Sequence, residues 1–171
     1  MSLRGHHRAT AAVQTASFLI VRFGRSHCAL PSQGVRGVLT CEEAGIGQAV
    51  IAAGVTYHDV DLAGRFSTTL DLMHPDTRMV LYSNGHSHGV IGVEEVIGMI
   101  DVDRDQCKPL PPHFRQDERH WISGTVFLQG HVTLILNPEW VVGEIGEEML
   151  VTADRGELKS LPRSAVLGDP C

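Results

Sequence analysis

The sequence predicts an all-β fold with short helices, and three observations carry that prediction. The stretch 121–140, WISGTVFLQGHVTLILNPEW, holds two apolar runs on either side of Gln129-Gly130. β-Branched and aromatic residues around a two-residue turn that contains glycine are a β-hairpin signal. In the return strand Val132, Leu134 and Leu136 face one way, and His131, Thr133 and Ile135 the other. Neither face is fully polar, so both are expected to be at least partly covered. Second, the chain echoes itself. GVTYHDVDL from Gly54 parallels GHVTLILNP from Gly130, each with a polar residue (Asp61, Asn137) seven positions after the glycine. SHCALPSQGVRGV from Ser26 parallels SHGVIGVEEVIG from Ser87. These echoes read as two copies of one all-β unit. Third, long helical periodicity is absent, and many short strands with regular turn signals argue for barrels or sandwiches.

In chain order, residues 1–15 read as a flexible arm. The run ASFLIVRF, 16–23, is the first strand; Gly24-Arg25 turns it back into a strand over 27–30, and PSQG from Pro31 breaks the pattern. Val35–Thr40 is a short strand weakened by Gly37. Residues 41–47 form a short acidic connection, and 48–53 and 55–61 pair as a hairpin about Ala53-Gly54. A helical turn over 62–66 and a polar linker over 67–76, stopped by Pro75, complete the first unit. The second opens with a strand over 78–83, and Asn84-Gly85 is the strongest turn dipeptide in the chain. Strands follow over 87–93 and 95–102, then a polar, proline-rich surface loop over 103–120 and the hairpin already described. Asn137-Pro138 stops the last strand, because proline cannot donate to a ladder, and 139–142 is a helical turn. Residues 143–171 form a C-terminal extension, with a short amphipathic helix expected at 144–150. The patterned domain therefore covers 16–142, with a first barrel near 16–70, a second near 78–142, and room for strands to cross over between them.

A chain of 171 residues with 43% apolar and 20% charged content has the composition of a soluble globular protein with one domain or two small ones. A formal net charge of −6 argues against a general nucleic-acid or anionic-membrane binder. No apolar run approaches the roughly 18 residues of a membrane span, so no membrane insertion is expected. The N-terminal stretch lacks the long apolar core of a signal peptide, and a cytoplasmic location is the expectation. Cys28, Cys41, Cys107 and Cys171 are widely spaced without a CxxC pair, which reads as free thiols in a reducing compartment.

The short motifs of nucleotide binding, zinc proteolysis, serine hydrolysis and kinase chemistry are missing from the sequence. No catalytic residue and no cofactor is expected. His86 and His88 are weak candidates for metal ligands, since alternate residues of a strand share a face; solvated turn residues are the simpler reading. His58, Asp59 and Asp61 do not suit acid–base work, because the two carboxylates share a face and His58 points the other way. Glu94-Glu95 and Glu147-Glu148 read as solvated edges, and KPLPPH from Lys108 as a rigid connection. Two apolar-faced β units instead offer a groove between them and open strand edges, both suited to protein recognition. A metal- or small-ligand-binding β protein is the second hypothesis, and an enzyme with a site outside known motifs the third.

FLIVRFGRSHCALPSQGVRGVL, then GVTYHDVDLAGRF, then MVLYSNGHSHGVIGVEEVIGMIDV, then WISGTVFLQGHVTLILNPEWV resembles, in order and spacing, the CheW-like family of chemotaxis coupling proteins over 16–142. The resemblance implies two five-stranded β-barrel subdomains packed around a shared core, and an adaptor without catalysis. It also implies two partners: the regulatory domain of a CheA-like histidine kinase, met barrel to barrel at one end, and the helical tip of a chemoreceptor, received in the groove. On that basis the groove is expected to use Leu30, Val35, Val38 and Leu39 of the first unit with Val93, Val96 and Met99 of the second. The kinase-facing barrel end is expected at Ala53, Gly54, Val55 and Tyr57. The family's acidic residue after ALP is Gly37 here, and the arginine of its hairpin is Ala53. Its Asp-Leu is kept as Asp61-Leu62, and its Val-Asp-x-Val becomes Val93-Glu94-Glu95-Val96. Replacing a planar, five-donor cation by alanine removes a charge from a partner-facing element. These departures point to a divergent adaptor, with a CheW-like module outside chemotaxis as the alternative.

Overall fold

The computed structural model describes residues 14–45 and 49–143. The expected arm up to residue 13, the last part of the acidic connection and the C-terminal extension with its helix at 144–150 lie outside the described residues. Ten strands are described: β1 (Thr15–Phe23), β2 (Ser26–Pro31), β3 (Val35–Thr40), β4 (Val50–Ala52), β5 (Val55–Val60), β6 (Arg78–Ser83), β7 (His88–Val93), β8 (Glu95–Asp103), β9 (Ile122–Leu128) and β10 (His131–Leu136). Four helical turns join them: α1 (Cys41–Ala44), α2 (Leu62–Arg65), α3 (Glu118–Trp121) and α4 (Pro138–Gly143).

The strands form two five-stranded sheets, in the orders β8-β1-β2-β10-β9 and β3-β6-β7-β5-β4. Each strand has a counterpart five strands later at the same place in the other sheet. The repeat in the sequence is thus real, but the sheets do not follow the division into 16–70 and 78–142. Each takes its first hairpin from one copy and its last three strands from the other. An echo along the chain identifies equivalent strands; it says nothing about which copies pair. The register repeats as well. Leu134 pairs with Cys28 in parallel strands of one sheet, and His58 with Gly89 in the other.

Side-chain alternation along the strands sorts the apolar residues into three cores. Phe18 and Ile20 of β1 join Ala29, Val102, Val126 and Ile135, drawn from every strand of the first sheet, and fill one barrel. Met79 and Leu81 of β6 join Val50, Tyr57 and Val90, with Leu39 packed against them, and fill the other. The alternate residues of the same strands, Leu19, Val21 and Phe23 of β1 with Val80 and Tyr82 of β6, meet in a third core shared by both barrels. Pleating that sends successive residues to opposite faces is what lets one strand serve two cores. Full burial of each such side chain contributes on the order of 1.5–3 kcal/mol, so the shared core ties the barrels firmly together.

The echoed polar residues have a common job. The Asp61 carboxylate accepts from the Gly64 amide at the start of α2, and the Asn137 side chain accepts from the Glu139 amide at the start of α4. Both are N-caps, supplying an acceptor to an amide that the first helical turn leaves unpaired. The two caps bring α2 and α4 to the shared core, where an aromatic chain links them. Phe23 stacks on Phe66 at 5.1 Å, Phe66 meets Trp121 edge-on at 5.2 Å, and Trp121 stacks on Trp140 at 5.4 Å. The Arg65 guanidinium lies 3.7 Å over the Trp140 ring.

Several elements differ from the sequence reading. β4 is confined to Val50–Ala52. Asn84-Gly85 does not form a two-residue turn: the loop runs over 84–87, with the Asn84 side-chain Oδ1 accepting from the His86 and Ser87 amides. Asparagine's side chain mimics a backbone turn, and this local bonding wins over the tight hairpin. The stretch 103–120 is ordered in part: it holds a 3-10 turn at Arg104–Gln106, most of α3, and a bridge in which Lys108 and Thr125 exchange backbone hydrogen bonds of 2.7 and 2.8 Å. That bridge brings the chain after β8 alongside β9.

Candidate partner-binding surfaces

The tip of the β4–β5 hairpin is a two-residue turn with φ of 50° at Ala53 and 78° at Gly54. Positive φ at both central residues is the primed turn that matches strand twist. Gln129-Gly130 repeats it at the β9–β10 tip, with 48° and 86°. Ala53 and Gly54 are exposed, Val55 is half-buried, and Tyr57 is buried in the core of its barrel. The outward neighbour is Ile51, 74% exposed on edge strand β4. Its counterpart on β9 is Phe127, 69% exposed and directly paired with exposed Val132. Sequence reasoning missed all three. The signal was available: Val50 and Ala52 face inward, so Ile51 between them must face out, and the same alternation turns Phe127 outward.

The expected groove residues divide by burial. Leu30 and Val93 are fully buried in the shared core, where they pack rather than present a surface. Val35 and Val96 are equivalent positions of the two copies, both partly buried against that core. Leu39 packs inside the second barrel. Val38 and Met99, again equivalent, face outward on β3 and β8 and are 41% and 57% exposed, with Ile97 exposed beside Met99. The burial of Leu30 and Val93 was not readable from sequence, because every apolar strand residue looks alike until the pleat and the second core are known. Gly37, where the family carries an acid, is half-buried; a Cβ there would meet only the Leu81 Cδ1 at 3.6 Å, an ordinary contact.

One ion-pair cluster ties β1 to the corner between β7 and β8. Arg22 on β1 reaches Glu94 through Nη1 and Glu95 through Nε, each at 3.0 Å, and the Thr68 hydroxyl donates to Glu94. The two carboxylates read as solvated edges are instead the anchor of the corner between β7 and β8. On the neighbouring strand, His27 of β2, paired across the ladder with Arg22, stacks on His131 of β10 at 4.4 Å. Burial first, then the charges of His131 and Arg22, hold the His27 pKa below its ordinary value against the pull of Glu95.

His86 sits in the exposed loop before β7 begins, so the face-sharing of alternate strand residues does not extend to it. His88 turns its ring edge-on to Tyr57 at 5.5 Å, with Nδ1 buried and without a hydrogen-bond partner. Among the described residues no group of three or more His, Cys, Asp or Glu side chains is placed to hold a metal ion. No helix among them is long and apolar enough to cross a membrane.

These features define a duplicated double-barrel β protein with apolar side chains displayed at its hairpin ends and on its edge strands. The chain belongs to the CheW-like domain family, whose model matches residues 17–145. It is similar in structure to the scaffolding protein TtCheW from Thermoanaerobacter tengcongensis, with a TM-score of 0.62 at 15% identity, covering 72% of this chain and 90% of that one. At that identity the likeness speaks for the fold. No curated protein matches the chain in sequence.

Proposed function

We propose that this chain is a non-catalytic scaffold of the chemotaxis type, which couples a CheA-like histidine kinase to a chemoreceptor tip or an equivalent helical partner. The observation that carries the proposal is the symmetric display of large apolar side chains on a family fold. Ile51 and Phe127 stand beside the two hairpin tips, and Val38 and Met99 on the two edge strands that flank the shared core. Isolated exposed apolar residues are common; four at matched positions of two copies mark surfaces kept for protein contact. In this reading the β4–β5 tip, with Ala53, Gly54 and Val55, meets the regulatory domain of the kinase. Val38 and Met99 line the receptor groove, with Val35 and Val96 beneath. The missing arginine at Ala53 leaves the kinase contact apolar, which suits a partner whose facing end has lost the matching acid. The same surfaces on a kinase of a pathway outside motility would give the divergent variant of this function.

The test is co-purification of the full chain with a CheA regulatory domain and with a receptor cytoplasmic fragment, each separately. Binding to both supports the coupling role. Binding to neither overturns it.

A further inference from the structure

A cleft on the second barrel lies apart from the hairpin tips and touches edge strand β3 only at its last residue, Thr40. One lobe, of 440 Å³, is enclosed by α1, the end of β5, the start of α2 and the linker that follows it. Its floor is apolar: Val60, Ala63 and Met79 are buried, and Leu70 and Leu72 half-buried. Gly92 contributes to the depth, because a Cβ there would sit 2.4 Å from the Leu70 Cδ2 and push the linker outward. The second lobe, of 650 Å³, continues past Cys41, Gly45 and Leu72, which line both. Volumes of this order suit small organic ligands.

The rim of the first lobe carries Asp59 and Asp61. Asp61 spends one oxygen on the Gly64 amide, and among the described residues no salt bridge neutralises either carboxylate. Burial first and the Asp61 charge second raise the Asp59 pKa, with the Val60 amide opposing. An apolar floor beneath two unpaired acids is complementary to one kind of occupant, an organic cation with an apolar body.

We infer that this cleft is a binding site for a small organic ammonium ion, the apolar group seated on Val60, Ala63, Leu72 and Met79 and the cation held by Asp59 and Asp61. The site is independent of the scaffold proposal: it uses the opposite end of β5 from Val55 and shares no residue with the proposed contacts. The charge-assisted contact to these carboxylates is expected to strengthen binding by up to about tenfold.

The experiment titrates the full-length protein with benzylammonium, followed by backbone amide NMR, with benzyl alcohol and phenylacetate as neutral and anionic probes of similar shape. Shifts confined to Gly45, Gly64, Leu72 and their neighbours, about tenfold stronger binding of benzylammonium than of benzyl alcohol, and slower alkylation of Cys41 on occupancy are the expected results. Asp59→Asn removes a rim charge and weakens the cation about tenfold while leaving benzyl alcohol unchanged. Thr69→Trp, at an exposed lining position, blocks both ligands. Shifts elsewhere, equal binding of all three probes, or no saturable binding of benzylammonium overturns the assignment.

Discussion

The Tyr82 hydroxyl donates to the Pro31 carbonyl at 3.1 Å, and its ring covers Gly34 so closely that a Cβ there would lie 2.3 Å from a ring carbon. Tyr82 belongs to β6 in one barrel and Pro31 ends β2 in the other, so a single side chain joins them through the shared core. Burial also raises the Tyr82 pKa well above its ordinary value, which keeps the hydroxyl a donor at all working pH. Gly34→Ala is expected to cost about 1–3 kcal/mol by overpacking. Tyr82→Phe, which keeps the ring and loses the bond, costs about 1 kcal/mol. Urea denaturation of the two variants checks the order.

Ala53 holds a left-handed φ of 50° with a side chain that gains nothing from it. Asparagine is preferred at this turn position and tolerates that region. Ala53→Asn is expected to raise stability by about 0.5–1 kcal/mol, read as a shift of the urea midpoint at unchanged slope.

Burial of His27, with the nearby charges of His131 and Arg22, makes stability depend on pH. The folded pKa of His27 is depressed, so the unfolded chain binds its proton more readily. The contribution is complete above the ordinary histidine value of about 6.5 and is lost as pH falls from there through the folded pKa. His131→Asn removes one cause of the depression and flattens the fall of the melting temperature between about pH 7 and pH 5. An unchanged slope would mean that burial and Arg22 set it without His131.

Arg22→Ala removes the side-chain tie between β1 and the corner of β7 and β8, keeps the backbone bond from the Glu94 amide, and leaves Glu94 and Glu95 side by side without their cation. The groups are partly exposed, so the loss is about 1 kcal/mol and shrinks in high salt. Thermal melts at low and high ionic strength distinguish this from a packing effect, which salt would not change.

If the hairpin tip meets the kinase, Ile51→Asp weakens binding to the regulatory domain about thirtyfold, the effect of removing an interfacial hot spot. Val38→Asp affects receptor binding instead. Both positions are exposed, so melting temperatures stay near the parent's, and a selective loss by each variant is the expected pattern in binding assays.

Most strands were legible because alternation and turn residues are local signals. Val35–Thr40, Arg78–Ser83, Ile122–Leu128 and His131–Leu136 lie where the pattern puts them. The sequence left room for strands to cross over, but which strands exchange was not legible, since which of two equivalent copies pairs with β1 is settled by the shared core and not by neighbours in sequence. The exposure of the candidate site residues was legible only in part. Val38 and Met99 face out as a groove would require, while Leu30 and Val93 are consumed by a third core that alternation cannot reveal. Ile51 and Phe127 were readable from the pleat alone and were overlooked beside the more conspicuous turns. The cleft at Cys41 and Asp59 had no signature, because its walls come from five separate segments.

The interlacing of the two sheets has a mechanical consequence. A cut near residue 70 yields a fragment with two staves of one barrel and three of the other, able to close neither. The ends that would hold different neighbours therefore rise and fall as one body, and a blow to either is felt at both.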